Sequence, residues 1–263
     1  MVKTVMITGA TSGIGRAVTY LLAEKGFRLI LIAKSEEKLE TLSKELVQKF
    51  SIECIYYCID LRNRSEVINF LEEGVDTETL IHCAGVGKLG DFKTVSFEEE
   101  EELYQVNILA SVLFLKAYAN RFVNQDYGII AVICSTGAFY PHPFLNGYAS
   151  SKAFLYHYCL GLSEEIKRYS QRVKIIAISP GPTKTNFFKK QIKEKMVLGT
   201  MDARFEMSAK QVAERIIRTL DSDELAVTIG IRNRLLTKLI QSLPLKLRIK
   251  IVGRYIRKGE EHD

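Results

Sequence analysis

One short stretch of this chain carries side chains that could transfer a proton. Tyr148 is followed four residues later by Lys152, and Ser135 lies thirteen residues upstream of Tyr148. Residues four apart lie on one face of a helix, so Tyr148 and Lys152 can point into a common cleft. A free tyrosine titrates near pH ~10, and we expect the lysine cation to lower that pKa. Tyr-X3-Lys alone is more often structural, but with Ser135 at the end of an apolar strand it predicts a catalytic group.

A glycine-rich turn near the start of the chain could hold a nucleotide. Thr8-Gly9-Ala10-Thr11-Ser12-Gly13-Ile14-Gly15 separates the first expected strand from the first helix. Glycine permits positive φ and lets backbone N–H groups approach a pyrophosphate at the helix N-terminus. These glycines could serve only as a tight connection, but the strand that precedes them and the βαβ unit that follows favour nucleotide binding.

Short β-branched runs alternate with amphipathic stretches along most of the chain. We expect strands near 3–8, 28–33, 52–60, 79–83, 128–134, 172–178 and 225–230, and helices near 14–25, 36–49, 64–73, 97–122, 148–170 and 208–220. The continuously apolar strands indicate burial on both faces, as in a parallel sheet covered by helices. This pattern predicts an α/β fold with a doubly wound parallel sheet. Ser96 and Glu99 are typical of a capping box.

Composition favours a single catalytic domain of cytoplasmic type. The chain has 263 residues, of which 47% are hydrophobic, enough for one substantial core. Its start offers a strand-length apolar run, which leaves no room for a signal peptide or an anchor helix, and no metal site is expected. We therefore expect residues 1–230 to form one dinucleotide-binding catalytic domain that includes the substrate cleft.

The positive charge is concentrated in a C-terminal extension, residues 231–263. Residues 1–230 hold 28 basic and 28 acidic residues, whereas 231–258 holds nine basic residues and no acid. Cations mixed with large apolar residues suit an interfacial amphipathic element, so 231–258 could contact a membrane or cover the cleft. The competing interpretation packs its apolar face on the body or on a second subunit. Nothing in the segment resembles a nucleic-acid motif.

The end of the second strand bears on the choice of cofactor. A dehydrogenase that uses NAD usually places a carboxylate there for the ribose hydroxyl, but this chain has Ile32-Ala33-Lys34-Ser35. Lys34, helped by Arg16 and Ser35, could pair with a 2′-phosphate. We therefore expect NADP(H) rather than NAD(H), the alternative being that Lys34 is an ordinary solvated lysine.

These motifs together resemble the short-chain dehydrogenase/reductase family over about residues 3–230. The resemblance rests on the glycine turn, Asn107, Ser135 with Tyr148 and Lys152, and Pro180-Gly181-Pro182-Thr183-Lys184-Thr185. It implies a Rossmann-type sheet of seven strands in the order 3-2-1-4-5-6-7, with Asn107, Ser135, Tyr148 and Lys152 as catalytic residues. The implied cofactor contacts are Gly9, Thr11, Ser12, Gly13, Ile14, Gly15, Lys34, Asp60, Leu61, Ala84, Gly85, Tyr148, Lys152, Pro180, Gly181, Thr183 and Thr185.

Each catalytic residue has an implied role. Tyr148 would donate the proton, Lys152 would also hold the nicotinamide ribose, and Ser135 would hydrogen-bond the substrate oxygen. Asn107 would support a water-linked proton relay, although it could simply bond to helix backbone. The sequence departs from the family at His82-Cys83, where relatives often carry two asparagines. We expect His82 to be a buried structural residue and leave the role of His142, which follows Ser135 in a loop, open.

The expected activity is NADPH-dependent reduction of a carbonyl group to an alcohol, which is reversible. Aromatic residues near the expected cleft mouth favour an apolar substrate, without separating a steroid, an acyl chain, a quinone or a foreign ketone. The alternatives are a non-catalytic NADP(H)-binding sensor or scaffold, and a membrane-associated reductase of lipid-linked substrates. The resemblance also implies a homodimer or homotetramer.

Overall fold

The computed structural model describes residues 3–188 and 206–257 of the chain. Segment 184–207, expected to form loops beside the cleft, lies outside the described residues except at its two ends. The last residues of the extension, 258–263, also lie outside them.

A seven-stranded parallel sheet forms the centre of the protein. Its strands are β1 (Thr4–Thr8), β2 (Arg28–Ala33), β3 (Cys54–Cys58), β4 (Thr79–His82), β5 (Gly128–Ile133), β6 (Val173–Pro180) and β9 (Ala226–Ile229). Two short strands, β7 (Thr183–Lys184) and β8 (Met207–Ser208), pair with each other in a separate two-stranded sheet. The order in the main sheet is β3-β2-β1-β4-β5-β6-β9, and every pair is parallel. This confirms the predicted Rossmann-type order, with β9 as the seventh strand.

Helices cover the sheet on both faces. They are α1 (Gly13–Glu24), α2 (Glu36–Phe50), α3 (Arg64–Glu73), α4 (Phe97–Tyr104), α5 (Ser111–Asn124), α6 (Asn146–Ile166), α7 (Ala209–Leu220), α8 (Ile231–Ser242) and α9 (Leu245–Arg257). Successive strand residues pack to opposite sides: in β1, Met6 belongs to one buried cluster and Val5 and Ile7 belong to the other. The continuous apolar runs therefore reflect burial on both faces, as predicted.

The helix expected over 97–122 is interrupted in the structure. It begins with the predicted capping box of Ser96 and Glu99, then widens into a π-helical turn over Gln105–Ala110 before α5 continues. The whole run Phe97–Asn124 is apolar enough to cross a membrane by length and composition, but 50% of its apolar window is buried inside the protein. The wide turn is the part that matters for the site, because it carries Asn107.

The first helix of the C-terminal extension, α8, contacts the body partly through polar side chains. Asn233 and Thr237 of α8 are buried, and a Cβ on Gly181 would lie 2.3 Å from Asn233 Nδ2. Asn233 Nδ2 also donates to the carbonyl of Ile229 over 3.1 Å. Helix α8 is thereby fixed to the end of the sheet, next to the turn that follows β6.

Two helical glycines provide a matched test of this packing. A Cβ on Gly15 would lie 2.3 Å from the carbonyl oxygen of Gly9, whereas a Cβ on Gly161 would meet nothing within 4 Å. Gly15→Ala should lower the free energy of unfolding by about 1–3 kcal/mol because the close turn must open. Gly161→Ala should raise it by about 0.5–1 kcal/mol by restricting the unfolded chain. Urea unfolding measures both, and a Gly15→Ala protein as stable as the wild type would contradict the packing.

Candidate active site

The glycine turn between β1 and α1 lies at the carboxyl edge of the sheet. Gly9 has φ +67°, and a Cβ there would lie 2.9 Å from the Cα of Ala84, so the turn packs directly on the segment after β4. Ser12 caps α1 without a side-chain capping bond, and the first turn of α1 has no acidic residue. The orphan N–H groups at this end are therefore suited to an anion such as a pyrophosphate.

Lys152 is a buried cation close to the end of β5. Lys152 lies in the second turn of α6, is 4% exposed, and its Nζ donates to the carbonyl of Ile133 over 2.8 Å. Burial lowers the pKa of Lys152, because the charged form loses hydration. The one carbonyl bond fixes where the ammonium lies.

Tyr148 and Ser135 meet just beyond the end of β5. Their hydroxyls are hydrogen-bonded to each other, and Ser135 Oγ also accepts the N–H of Gly137 over 3.0 Å. Burial raises the pKa of Tyr148 to about 12, although the bond to Ser135 lowers it. The expectation that Lys152 lowers this pKa is therefore wrong for this structure: desolvation of the phenol dominates, and the ammonium faces Ile133. Tyr148 is protonated at neutral pH.

Asn107 joins the helix of Tyr148 to the segment after β4. Its Oδ1 accepts the N–H of Val86, and its Nδ2 donates to the carbonyl of Val86, both over 2.8 Å. Nδ2 also donates to Ser151 Oγ over 2.9 Å, and Ser151 donates to the carbonyl of Tyr148 over 2.8 Å. The alternative of a bond to its own helix is not what the structure shows, because the π-helical turn directs the amide across to Val86.

Gly85 brings these groups to one place. A Cβ on Gly85 would lie 3.3 Å from both Asn107 Oδ1 and Lys152 Nζ. The absence of a side chain there leaves the amide and the ammonium at the same point of the sheet edge. The structure thus brings together the four candidate catalytic residues and the glycines after β1 and β4.

The other candidate cofactor contacts, Lys34, Asp60 and Leu61, lie at the same edge of the sheet but differ in exposure and in pairing. Lys34 is exposed just past β2. The hydrogen bond from Arg62 is the main cause that lowers the pKa of Asp60, and the charges of Arg62 and Lys34 lower it further. Arg62 Nε bonds both carboxylate oxygens of Asp60 over 2.9 Å, so this carboxylate is already paired. Leu61 is 7% exposed in the core. Arg16, considered as a helper of Lys34, donates instead to the hydroxyl of Tyr20 over 3.1 Å.

The segment after β6 reaches back to the glycine turn. A Cβ on Gly13 would lie 3.5 Å from Thr185 Cγ2, so Thr185 lies beside the glycine turn, whereas the family resemblance implies that it faces the nicotinamide carboxamide. Pro180 ends β6, and Thr183 Oγ1 donates to the carbonyl of Gly181 over 2.9 Å, which orders the turn. The remaining turn candidates, Thr11, Ser12 and Ile14, lie between the packed glycines.

Aromatic and aliphatic side chains enclose the approach to Tyr148. The rings of Phe187 and Phe188 both have centroids 5.6 Å from the Tyr148 ring. Phe188 also packs on a small buried cluster of Leu89, Leu145 and Val252. Val252 belongs to α9, so the C-terminal extension supplies part of this apolar wall.

His82 is a buried, neutral link between elements. Its Nδ1 lies 3.0 Å from Thr8 Oγ1, and its Nε2 lies 2.8 Å from Ser111 Oγ. Thr8 Oγ1 accepts the N–H of Ala84 over 3.1 Å, so the Thr8 proton can go to Nδ1 while Nε2–H donates to Ser111. Burial and the charge of Lys152 lower the pKa of His82 to about 3. His82 is structural, as expected, and ties the sheet to α5.

His142 lies on the other side of Ser135. Its ring stacks on Tyr140 with centroids 4.8 Å apart, and its Nε2 would lie 3.7 Å from a Cβ on Gly137. Burial lowers the pKa of His142 to about 4. It is therefore an uncharged group next to the turn that carries Ser135.

Comparison with known proteins settles the family. The model of the short chain dehydrogenase family matches residues 3–196. This chain belongs to the short-chain dehydrogenase family.

The relatives of this short-chain dehydrogenase differ from it in length. It is similar to a very-long-chain 3-oxoacyl-CoA reductase of Pyrenophora tritici-repentis, 27% identical over 179 residues. The match takes in 65% of this chain and 52% of that relative. The chain thus spans about half the length of the curated relatives it matches.

Solved structures match over nearly their whole length. A short-chain dehydrogenase from Sphingobium yanoikuyae in complex with NADPH has a TM-score of 0.78 and 24% identity, with 92% of this chain and 97% of that one covered. An alcohol dehydrogenase from the archaeon Thermococcus sibiricus complexed with 5-hydroxy-NADP has a TM-score of 0.73 and 26% identity, with 87% and 96% covered.

Two parts of the site escaped the sequence analysis. Ser151, which bridges Asn107 to the backbone of Tyr148, lies within Tyr-Ala-Ser-Ser-Lys but was not singled out. Its helical position, three residues after Tyr148, is the available signal. The bond from Lys152 to the carbonyl of Ile133 could not be predicted from residue types, because any residue at position 133 offers the same backbone acceptor.

The buried, neutral state of His82 predicts that the free energy of unfolding falls in acid. The unfolded chain takes up a proton at each histidine near pH 6.5, whereas folded His82 resists it until pH falls to about 3. Stability from this difference is present above pH 6.5 and is lost as pH falls, by about 2 kcal/mol near pH 5. We expect the free energy of unfolding in urea to fall between about pH 7.5 and about pH 5 in both the wild type and His82→Asn. The fall in His82→Asn should be smaller than that of the wild type by about 2 kcal/mol.

The control is His157→Asn, which changes an exposed histidine of α6. It should keep the wild-type pH dependence. An unchanged pH dependence in His82→Asn would show that His82 is charged or solvated in the folded protein.

Proposed function

We propose that this short-chain dehydrogenase is an NADPH-dependent carbonyl reductase, reversible as an alcohol dehydrogenase, with Tyr148 as proton donor. The observation that carries the proposal is the meeting of Ser135, Tyr148, Lys152 and Asn107 at the sheet edge beside the glycine turn. A binding protein has no need of a desolvated phenol and ammonium at that point, since both are costly to bury. This favours catalysis over a sensor or scaffold.

The chain's own groups divide the work. Bound NADPH would supply the hydride. Ser135, which already hydrogen-bonds the phenol, would bind the substrate oxygen, and protonated Tyr148 would release its proton to that oxygen as charge develops. Lys152 would hold the cofactor ribose, and its bond to the carbonyl of Ile133 would fix α6 and with it the position of Tyr148. Asn107, tied to Val86, would position the helix of Tyr148 and support proton return from solvent.

The cofactor proposal rests on charge at the end of β2. No carboxylate ends this strand, and the exposed cation of Lys34 just beyond it would pair with a 2′-phosphate. The neighbours solved with NADPH and 5-hydroxy-NADP support NADP(H) binding. Glu36 and Glu37 in the first turn of α2 repel a phosphate, so the preference for NADP(H) over NAD(H) depends on Lys34.

The substrate proposal is a long apolar carbonyl compound. The walls beside Tyr148 are aromatic and aliphatic, and the curated relatives are very-long-chain 3-oxoacyl-CoA reductases. A 3-oxoacyl group on a long chain fits both observations. The proposed assembly is a cytoplasmic homo-oligomer, supported by the exposed aromatic edge of α6, where Phe154 is 41% exposed and stacks on Tyr158.

Removing the phenol hydroxyl tests the proton donor. Tyr148→Phe should reduce the rate of NADPH-dependent reduction of aldehydes and ketones by about 10²- to 10⁴-fold, the usual worth of a general acid. NADPH affinity, measured by fluorescence titration, should stay near the wild-type value. Tyr156→Phe is the matched control. Tyr156 lies two turns after Tyr148 on the same helix, and its ring packs on Phe139. Equal turnover by Tyr148→Phe and Tyr156→Phe would refute the role of Tyr148.

Reversing one surface charge tests the cofactor preference. Lys34→Glu should weaken NADPH binding by about tenfold or more, with little loss for NADH, because a charge-assisted bond to the 2′-phosphate is lost. Lys38→Glu makes the same charge change on the exposed part of α2 and should affect both cofactors little. Wild-type preference for NADH, or equal effects of the two variants, would contradict the proposal.

A further inference from the structure

The two C-terminal helices expose an apolar and cationic face. In α8, Ile231, Leu235 and Leu239 are 65%, 61% and 62% exposed, at a spacing of four residues that puts them on one side of the helix. In α9, four apolar side chains are exposed: Leu245, Leu247, Ile249 and Ile251, at 58%, 46%, 37% and 42%. We call these seven side chains, with the exposed cations Arg234, Lys238, Lys246, Lys250 and Arg254 of the same two helices, the outer face.

Helix α8 buries polar side chains and exposes several large apolar ones, the reverse of an ordinary helix that packs on a core. Its buried positions include Asn233 and Thr237, which are 4% and 5% exposed, while Ile231, Leu235 and Leu239 point away from the body. Tyr140 hydrogen-bonds Thr237, which adds to the polar contact. Core packing therefore does not explain the leucines of the outer face, and such a face is typical of a surface that binds something apolar.

Charge identifies the occupant of this face. Residues 231–257 contain eight Arg and Lys residues and no acid. A second copy of the face would bring cations against cations, which disfavours self-association. Aliphatic side chains flanked by cations match the acyl boundary and the anionic headgroups of a lipid bilayer.

The inner side of the same helices adjoins the cleft. Ile240 and Val252 pack on the cluster that contains Leu89 and Leu145, and Phe188 of that cluster lies against Tyr148. Gly253 is close to the loop after Ser135, since a Cβ there would lie 3.3 Å from Pro143. Helices α8 and α9 therefore stand between the outer face and the apolar approach to the site.

We propose that the outer face docks on the surface of an anionic lipid bilayer, so that long apolar substrates enter the cleft from the membrane. The leucines enter the acyl boundary while the lysines and arginines pair with headgroups. The proposal of docking rests only on the residues of α8 and α9. The proposal that substrate enters from the membrane rests also on the proposed reductase function.

Vesicle flotation of the full chain tests docking. The probes are phosphatidylcholine vesicles with and without phosphatidylserine. The wild type should float only with the anionic vesicles, and its apparent affinity should fall with added salt. The double variants Leu235→Gln/Leu239→Gln and Lys246→Glu/Lys250→Glu should each reduce binding by at least about tenfold. Tyr169→Gln and Lys210→Glu change exposed residues outside the outer face and should bind as the wild type does.

Several results would overturn the proposal. These are a wild type that stays unbound, equal binding to neutral vesicles, or double variants that bind like the controls. The face would be assigned to a second copy of the chain by two results together. The wild type would fail to bind vesicles, and sedimentation would show a wild-type dimer that the double variants lose. NADPH oxidation with a water-soluble ketone is measured in parallel and should be unchanged in every variant. Docking without any turnover would refute the reductase function and leave docking intact.

Discussion

The buried ammonium of Lys152 is the constraint on which the site depends. A buried cation is costly unless it is bonded, and here the carbonyl of Ile133 at the end of β5 accepts it. That bond joins α6 to the sheet and sets where Tyr148, one turn earlier, must lie. The neighbouring Asn107 and the bare backbone of Gly85 complete the enclosure, since a side chain at position 85 would press on both groups.

The rest of the fold supports this arrangement from both sides. The π-helical turn directs Asn107 across to Val86, and neutral His82 bonds β1 and β4 to the start of α5. These bonds place the glycine turn, the segment after β4 and the helix of Tyr148 at one edge of the sheet. Carboxyl ends of parallel strands are where open α/β sheets bind ligands, so the geometry follows from the topology.

Much of this could be predicted from the sequence, for identifiable reasons. Strands buried on both faces are continuously apolar, and the capping box at Ser96 has a fixed spacing, so the sheet and the start of α4 were predicted correctly. The π-helical turn was missed because the bond from Asn107 to Val86 depends on a tertiary contact. The lowered pKa expected for Tyr148 was wrong, because spacing on a helix does not show how far burial desolvates a phenol or which acceptor the lysine chooses.

The extension illustrates the same limit. Its mixture of cations and leucines was visible in the sequence, but the side that faces the body was not. Hydrophobicity suggests that leucines pack inward, yet Asn233 and Thr237 are the buried residues of α8, and the carbonyl of Ile229 at the end of β9 accepts a hydrogen bond from Asn233. The result is a wall that is apolar toward the cleft at Val252 and apolar outward at Leu235.

The pH dependence of kcat/KM for carbonyl reduction tests the central claim most directly, because it reports the free enzyme. Burial raises the pKa of Tyr148 to about 12, and only the protonated phenol, which persists below that pKa, can donate. Reduction should therefore be constant from about pH 6 to about pH 9, while alcohol oxidation, which needs the phenolate, should rise about tenfold per pH unit. Reduction that falls tenfold per unit from near neutrality would contradict the claim that a desolvated, protonated Tyr148 is the acid.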